Sequence, residues 1–401
     1  MKRITTIGSL ALLLLWGGAA QETITPERAA NELAKNSIIV DTHIDVPFRL
    51  ERKPDDVSTS TESGDFDYPR AVNGGLNAPF MSIYTPADFD ENGASFANAV
   101  ALIDLVESIV AAAPEKFAIA KTPDDVRAHF NAGLISLPLG MENGSPIEGD
   151  LSRLEFFHQR GIRYITLTHG KSNHISDSSY DTNRQWNGLS EFGERVVLEM
   201  NRLGIMIDVS HVSDDAFWDV IRLTKVPVIA SHSSARHFTP GFERNMSDEM
   251  IKALAKNGGV IMINFGSAFL TEKANEYSLA RRAAEDAWRV DNPGLGDAEA
   301  GDLHDAIWAA EHGPYPFADI DDVLNHIDHV VKLVGVDYVG IGSDYDGVGD
   351  SLPTGLKDVS TYPNLVEGML RRDYSETDIQ KILGENILRV WNAVLNNAAA
   401  D

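Results

Sequence analysis

Eight short apolar segments recur along the chain, and each ends in polar residues before a loop or a helix-like stretch. Their β-branched, nearly continuous apolar character is typical of strands that are buried on both faces. In chain order the segments are Ser37–Asp45, Ala78–Thr85, Leu134–Glu142, Ile162–His169, Ile205–His211, Val226–His232, Gly259–Phe265 and Asp337–Asp344. The pattern therefore predicts eight buried strands.

Helical periodicity separates several of these segments. Gly193–Leu203 places apolar residues at helical spacing and is followed by a glycine, while Ser213–Leu223 opens with a good N-cap sequence. Ser247–Ala255 and Ile320–Leu333 have similar patterns. Strands that alternate with helices predict an α/β fold, a (β/α)8 TIM-like barrel, with a doubly wound open sheet as the alternative.

Two stretches exceed what a minimal barrel needs. Glu51–Asn77 is polar and turn-rich, so we expect a long loop after the first strand. Thr271–Phe317 contains charged helix formers followed by a Gly/Asp-rich turn (NPGLGDAEAGD), which predicts a helical insertion after the seventh strand. No repeat or linker divides the remaining sequence, so we expect a single barrel domain over residues 21–401.

The N-terminus has the pattern of a secretory signal peptide. Lys2 and Arg3 precede the apolar run Ile7–Trp16, and the small residues Gly17–Ala20 follow. This order predicts a signal peptide over residues 1–20 and a periplasmic or secreted protein, with a buried N-terminal helix as the alternative. We expect no membrane span in the mature chain, because the run is short and no other stretch is comparably apolar.

Composition narrows the possible partners and chemistry. The 401 residues include 34 Lys and Arg against 60 Asp and Glu, for a formal net charge of −26. Nucleic acid and anionic membrane surfaces would repel such a chain. The sequence has no cysteine, which excludes disulfides, thiolate metal ligands and a cysteine nucleophile. Any metal site must therefore consist of His, Asp and Glu.

Polar side chains end the predicted strands, where a (β/α)8 barrel carries its catalytic groups. His43 and Asp45 are two positions apart on one strand, so both can reach one ion. His211 and His232 are separated by about one strand–helix unit, which predicts that they lie on neighbouring strands. Glu142 closes the third strand, where its two oxygens could bridge two ions. The alternatives are chance exposure for the first pair, core histidines for the second and a solvated Glu142.

Together these residues amount to five ligands, which is too many for one catalytic zinc with an open position. They suit two ions that share Glu142 and a bridging water or hydroxide. Imidazole and carboxylate ligands favour zinc over manganese, cobalt or iron.

Three further residues could act on a substrate. Asp344 closes the eighth strand and could serve as general base, although a further metal ligand or a loop turn are alternatives, and Asp346 before Gly347 is the predicted turn residue. His169 follows the fourth strand and could polarise a carbonyl. Arg244 could clamp a carboxylate, or could simply pair with a local acidic residue.

With these residues in place, the chain resembles the membrane (renal) dipeptidase family, the M19 zinc metallopeptidases of the amidohydrolase-like barrels. The resemblance extends in order through almost the whole mature chain. The segments that carry it are DTHIDVP (41–47), LPLGMENG (137–144), YITLTHGKSN (164–173), WNGLSEFGERVV (186–197), MIDVSHVS (206–213), PVIASHSSAR (227–236), RNMSD (244–248) and YVGIGSDYDG (338–347).

The resemblance implies roles for the residues already named and an activity for the protein. Members hydrolyse dipeptides, often tolerate a D-residue at the C-terminal position and are commonly homodimers. The sequence departs from the family pattern at Asn143, where a glycine is expected, and the absence of cysteine removes the covalent dimer and lipid anchor of mammalian members. The implied roles are zinc ligands at His43 and Asp45 for one ion and at His211 and His232 for the other, a bridging Glu142, substrate contacts at His169 and Arg244, and an acidic group near the bridging water at Asp344.

The sequence therefore predicts an exported dipeptidase with two zinc ions per chain. A related amidohydrolase that acts on N-acyl amino acids, lactones or β-lactams is one alternative. A metal-dependent solute-binding protein without catalysis is the other.

Overall fold

The eight predicted strands form one closed, parallel barrel. The computed structural model describes residues 25–292 and 297–398, so the predicted signal peptide lies outside the described residues. Successive strands pair in chain order, and the last strand pairs with the first, which confirms the barrel and excludes the open sheet. The strands are β1 (Ile39–Ile44), β2 (Leu76–Tyr84), β3 (Leu139–Glu142), β4 (Ile162–Thr166), β5 (Met206–Asp208), β6 (Ile229–Ala230), β7 (Val260–Ile263) and β8 (Val339–Ile341).

Helices connect the strands and surround the barrel. Predicted N-caps begin two of them, since the side chains of Ser213 and Ser247 accept hydrogen bonds from Ala216 N and Met250 N. The helices are α1 (Pro26–Asn36), α2 (Val46–Arg52), α3 (Tyr68–Gly74), α4 (Ala87–Asn92), α5 (Ser95–Ala112), α6 (Pro123–Ala132), α7 (Ser152–Arg160), α8 (Glu191–Leu203), α9 (Asp214–Leu223), α10 (Asp248–Lys256), α11 (Ser267–Leu270), α12 (Glu272–Asp291), α13 (Asp297–His312), α14 (Ile320–Val334), α15 (Tyr362–Arg371), α16 (Glu376–Gln380) and α17 (Asn386–Ala398).

The third apolar segment forms two strands rather than one. Ile135–Ser136 pairs with Phe117–Ala118 in a separate two-stranded sheet, and β3 begins only at Leu139. Pro138 lies between the two strands and has no N–H to donate, although its carbonyl accepts from Met81 N at 2.8 Å. The proline therefore separates the part that joins the barrel from the part that does not.

Helix occurs in the predicted long loop after β1 and in part of the predicted Gly/Asp-rich turn of the insertion. The polar stretch after β1 includes α3, where the Asp67 side chain accepts from Arg70 N at 2.8 Å and Gly75 ends the helix with φ 80°. Short capped helices of this kind have too few turns to show a clear periodicity. In the insertion, α12 and α13 confirm the predicted helices, but α13 begins at Asp297, so the second half of the Gly/Asp-rich stretch is helical.

Apolar side chains fill the barrel toward the amino ends of its strands. The Phe80 ring lies 5.4 Å from the ring of Tyr164 and 5.3 Å from that of Trp391 on α17. All three side chains are fully buried. The C-terminal helix thus packs against this end of the barrel.

One helix among the described residues is long and apolar enough to be considered as a membrane span. Helix α5 has a mean hydropathy of 1.6. However, Leu102 and Val106 are buried in the protein's own core, and Arg160 Nη2 contacts Asp104 and Glu107 at 2.6 and 3.1 Å. Its pattern is that of a helix packed against the barrel.

Candidate metal centre

The polar residues that follow the strands converge at the carboxyl end of the barrel. Because all eight strands are parallel, their C-terminal ends lie on the same side. Three of the predicted ligands lie in a strand or directly after its end, and the others occupy the adjoining loops. The residues brought together are His43, Asp45, Glu142, His169, His211, His232 and Asp344.

Glu142 lies at the centre of this cluster. Its Oε1 is 3.1 Å from His211 Nε2, 3.2 Å from His232 Nε2 and 3.5 Å from His169 Nε2. Its Oε2 is 3.5 Å from His43 Nε2, which is also 3.5 Å from an Asp45 oxygen. The two oxygens of one buried carboxylate thus face two separate sets of possible ligands.

Hydrogen bonds on the far side of His43 fix its tautomer. The Tyr164 hydroxyl donates to Thr42 O at 3.0 Å, so it must accept from His43 Nδ1, 2.8 Å away. In the neutral ring, which is the form that binds metal, His43 Nε2 is left with a lone pair that points toward Glu142 and Asp45. This buried nitrogen has no hydrogen-bond partner among the described residues. A cation between these groups would satisfy all of them.

His232 is oriented in the same way. The Ser231 hydroxyl donates to Asp208 Oδ2 at 2.6 Å and accepts from His232 Nδ1 at 2.8 Å. His232 Nε2 is thereby left as an acceptor only 2.8 Å from His211 Nε2. Burial, reinforced by nearby cationic groups, holds the pKa values of His211 and His232 well below the ordinary value. Both rings are neutral, which is the form that binds metal, and the donor set fits zinc.

The two central carboxyl groups differ in their electrostatics. Burial alone would raise the pKa of Glu142, but the imidazoles of His43 and His169 hold it well below its usual range. Burial raises the pKa of Asp344 to about 7, with His43 opposing and Asp45 adding to the rise. Glu142 is thus a permanent anion, whereas Asp344 can exchange a proton near neutral pH.

Three residues of the centre have left-handed backbone conformations. The φ values are 76° for Asn143, 68° for His211 and 65° for Asp344. Such conformations cost about 1–3 kcal/mol in non-glycine residues and cluster at functional sites. Asparagine tolerates this region, and Asn143 also donates from Nδ2 to Thr85 O at 2.9 Å and accepts from Ser145 N. It can therefore replace the glycine expected at this position.

The turn after β8 passes very close to the cluster. A Cβ atom on Gly347 would lie 2.2 Å from Asp45 Oδ2 and 2.3 Å from Asp344 Oδ1, so only glycine fits. Asp346, the predicted turn residue, has φ 64° and accepts from Arg49 Nε at 2.9 Å. This turn holds Asp344 in place, with Asn264 Nδ2 donating to Asp344 Oδ2 at 2.7 Å.

Arg244 is a buried cation beside the cluster. Its Nη1 donates to Ser233 Oγ at 2.6 Å and its Nη2 to His232 O at 2.7 Å. Among the described residues no carboxylate pairs with it, and its buried Nε has no hydrogen-bond partner. The alternative of a local ion pair therefore does not apply, and the Nε–H of the guanidinium is left without an acceptor.

A cavity of about 800 Å³ opens onto the centre. Asp45, Glu142, His169, His211 and Asp344 form its floor. His169 is the most accessible of the four imidazoles, with a side chain 25% exposed. Part of the remaining wall belongs to the insertion. The wall includes eight aromatic rings: Phe48, Tyr84, Tyr180, Phe242, Phe269, Tyr277, Tyr315 and Phe317.

Sequence patterns missed the residues that support the ligands. Tyr164 and Asp208 are fully buried in β4 and β5, where they orient His43 and His232. A polar residue inside an apolar strand is a usable signal, because buried polar groups need partners. Tyr180 gave no such signal, since it lies in an irregular loop.

The insertion carries another group of possible ligands, Glu285, His304 and Asp305. Arg289 Nη2 pairs with Glu285 at 2.7 Å, and Arg281 pairs with Asp305. Because these carboxylates already have cationic partners, we interpret the group as an ion-pair network that joins α12 to α13.

Comparison with known proteins identifies the relatives of this chain. The family model for membrane dipeptidase (peptidase family M19) matches residues 27–401. The dipeptidase tcpJ of Claviceps purpurea (strain 20.1) is 33% identical over 349 residues, which cover 85% of this chain and 72% of that protein.

Solved structures agree with this match. The probable dipeptidase PvdM from Pseudomonas aeruginosa has a TM-score of 0.80 at 27% identity, over 93% of this chain and 99% of that chain. A metallopeptidase from Rhodobacter sphaeroides, liganded with a phosphinate mimic of the dipeptide L-Ala-D-Ala, has a TM-score of 0.73 at 26% identity, over 89% of this chain and 99% of that chain. The chain therefore belongs to the membrane dipeptidase family, peptidase family M19.

Proposed function

We propose that this chain is an exported dipeptidase that uses two zinc ions to hydrolyse dipeptides, including those with a D-residue at the C-terminal position. The arrangement around Glu142 carries the proposal, because one buried carboxylate faces Nε2 of four imidazoles. Family membership supports the metal-dependent peptidase activity. The L-Ala-D-Ala mimic bound by the Rhodobacter sphaeroides relative supports the D-residue.

The donor atoms divide into two sets around Glu142. His43, Asp45 and Glu142 Oε2 would hold one zinc, and His211, His232 and Glu142 Oε1 would hold the other. When bound, such ions lower the pKa of a water molecule and polarise a carbonyl group. The other steps belong to side chains of the protein.

Asp344 is suited to move the proton. Asn264 occupies its Oδ2, which leaves Oδ1 to accept a proton from the attacking water. As the water oxygen bonds to the carbonyl carbon and the C–N bond breaks, Asp344 returns this proton to the leaving amine. Burial raises the pKa of the Asp344 carboxyl above the ordinary value, which favours the uptake of the proton.

His169 and Arg244 position the substrate. Burial, with Arg244 adding to its effect, lowers the pKa of His169, so the neutral ring can donate a hydrogen bond to the carbonyl oxygen. Arg244 would bind the C-terminal carboxylate through its Nε–H, which has no partner among the described residues. A carboxylate clamp at a fixed distance from the reaction centre favours dipeptides over longer peptides.

Arg244→Ala should raise KM for dipeptides with a free carboxylate and lower kcat/KM by about 10- to 100-fold, since a hydrogen bond to a charged group contributes about 1.5–3 kcal/mol. Steady-state kinetics on a dipeptide and on its C-terminal amide tests this expectation. The amide should be a poor substrate for both proteins and should lose little further activity in the variant. Equal losses on both substrates would contradict the carboxylate role.

We also propose that the protein is exported and forms a homodimer. The charged, apolar and small residues before Gln21 support cleavage after Ala20, which mass spectrometry of the secreted N-terminus would test. An intact N-terminus would contradict it. The family resemblance supports a homodimer, and light scattering that gives the mass of a single chain would contradict that assignment.

A further inference from the structure

We propose that Arg282, on the insertion helix α12, binds an acidic side chain on the C-terminal residue of the substrate. The enzyme would then prefer dipeptides that end in Glu or Asp. This inference rests on the proposed dipeptidase function and adds a substrate class to it.

Arg282 is an unpaired cation in the wall of the catalytic cavity. It lines the same cavity as Glu142, His211 and Asp344, and its side chain is exposed to the cavity solvent. Within residues 25–292 and 297–398 it forms no ion pair or hydrogen bond. The other arginines of α12 are paired, Arg281 with Asp305 and Arg289 with Glu285. In a chain with a net charge of −26, a cation without a partner at this place is suited to an anionic ligand.

Contacts among the aromatic rings of the wall indicate on which side of the cavity Arg282 lies. The Tyr180 ring is 5.9 Å from the ring of His211 and 6.0 Å from that of Phe242. The Arg244 guanidinium lies 5.3 Å from the ring of Phe269, on the helix α11 that directly precedes α12, and the Phe269 ring is 5.6 Å from that of Phe242. Phe269, Tyr180 and Arg282 all line the cavity. Arg282 is thus on the side where Arg244 would bind the C-terminal carboxylate, and the side chain of that residue comes within its reach.

The surrounding wall adds attraction for an anion with an aliphatic stem. The other charged groups in the outer wall are neutralised locally, since Asp350 is 3.4 Å from Lys357 Nζ and Asp305 is paired with Arg281. Arg282 therefore provides the excess charge. Tyr277 and Tyr315 supply ring surface against which methylene groups can pack. A cavity of about 800 Å³ also has room for more than two small residues.

The test compares Ala-Glu with its neutral isostere Ala-Gln, using the full chain loaded with zinc and the stereochemistry that the wild type hydrolyses faster. We expect kcat/KM for Ala-Glu to exceed that for Ala-Gln by about tenfold, as expected for a partly exposed charge-assisted hydrogen bond. Arg282→Met should remove this preference by lowering kcat/KM for Ala-Glu alone. Ala-Gln should stay within about twofold of the wild type.

Two variants serve as controls. Arg282→Lys keeps the charge and should retain part of the preference. Lys256→Met removes an exposed cation on α10 and changes the net charge equally, so it should leave both substrates unaffected.

Three results would overturn the assignment. Equal hydrolysis of Ala-Glu and Ala-Gln by the wild type would exclude recognition of the charge. Equal losses on both substrates in Arg282→Met would indicate a general structural role. Glu-Ala carries the acidic side chain on its N-terminal residue. If Arg282→Met lowered kcat/KM for Glu-Ala but not for Ala-Glu, the contact would be with the N-terminal residue of the substrate. A wild type that hydrolyses no dipeptide after zinc addition would instead overturn the dipeptidase function itself, and the two failures are therefore distinguishable.

Discussion

Glu142→Gln should lower kcat/KM for dipeptides by about a thousandfold and should remove most of the bound zinc. Metal ions contribute several kcal/mol of transition-state stabilisation, and the two oxygens of Glu142 face the two ligand sets. The amide would lack the negative charge that attracts a metal ion. Its NH2 group could instead donate a hydrogen bond to Nε2 of His211 or His232, which lie 3.1 and 3.2 Å from Glu142 Oε1. Metal analysis and steady-state kinetics on the same preparation measure both effects.

The control for this experiment is Glu199→Gln, which makes the same chemical change in an ion pair with Arg202 on α8. It should leave metal content and activity unchanged. Thermal unfolding should show that Glu142→Gln still folds, since a buried carboxylate surrounded by imidazoles is costly without its metals. Full metal content in this variant would contradict the bridging role.

Asp344→Asn should lower kcat by about a hundredfold to ten-thousandfold while metal content and substrate binding persist. The reason is that the amide cannot accept the proton of the attacking water, whereas proton transfer by a positioned group contributes a factor of this size. Asparagine tolerates the φ of 65° at this position, so the turn should be preserved. Kinetics, metal analysis and binding of a phosphinate dipeptide mimic separate these effects.

Asp346→Asn is the matched control in the same turn. Asp346 pairs with Arg49 rather than facing the cluster, so its loss should lower the unfolding temperature more than kcat. Loss of zinc from Asp344→Asn would identify Asp344 as a ligand, since it lies near His43 and Asp45. An unchanged kcat in Asp344→Asn would contradict the role of this residue as the base.

The strand ends could be predicted from the sequence because an apolar run and the polar residue that ends it occur together. An apolar run identifies a buried strand, and the polar residue that closes it lies at the rim of a parallel barrel. The spacing of His211 and His232 along the chain therefore predicts that they lie side by side. The structure confirms their proximity, with Nε2 atoms 2.8 Å apart.

Contacts between distant segments could not be read from the sequence. The hydrogen bond from His43 to Tyr164 joins residues 121 positions apart, and the pairing of Ser231 with Asp208 depends on the register of neighbouring strands. The arrangement of the insertion is also non-local, because helical periodicity predicts α12 but not which of its residues reaches the cavity. Arg282 and its paired neighbour Arg281 look alike in the sequence.

Zinc reconstitution tests the central claim most directly. The protein would be stripped with a chelator, and dipeptide hydrolysis would be followed while zinc is restored and its content measured. Activity should be lost with the metal and should return until about two zinc ions are bound per chain. Less than about one tightly bound ion per chain, with no gain of activity on adding zinc, would contradict it.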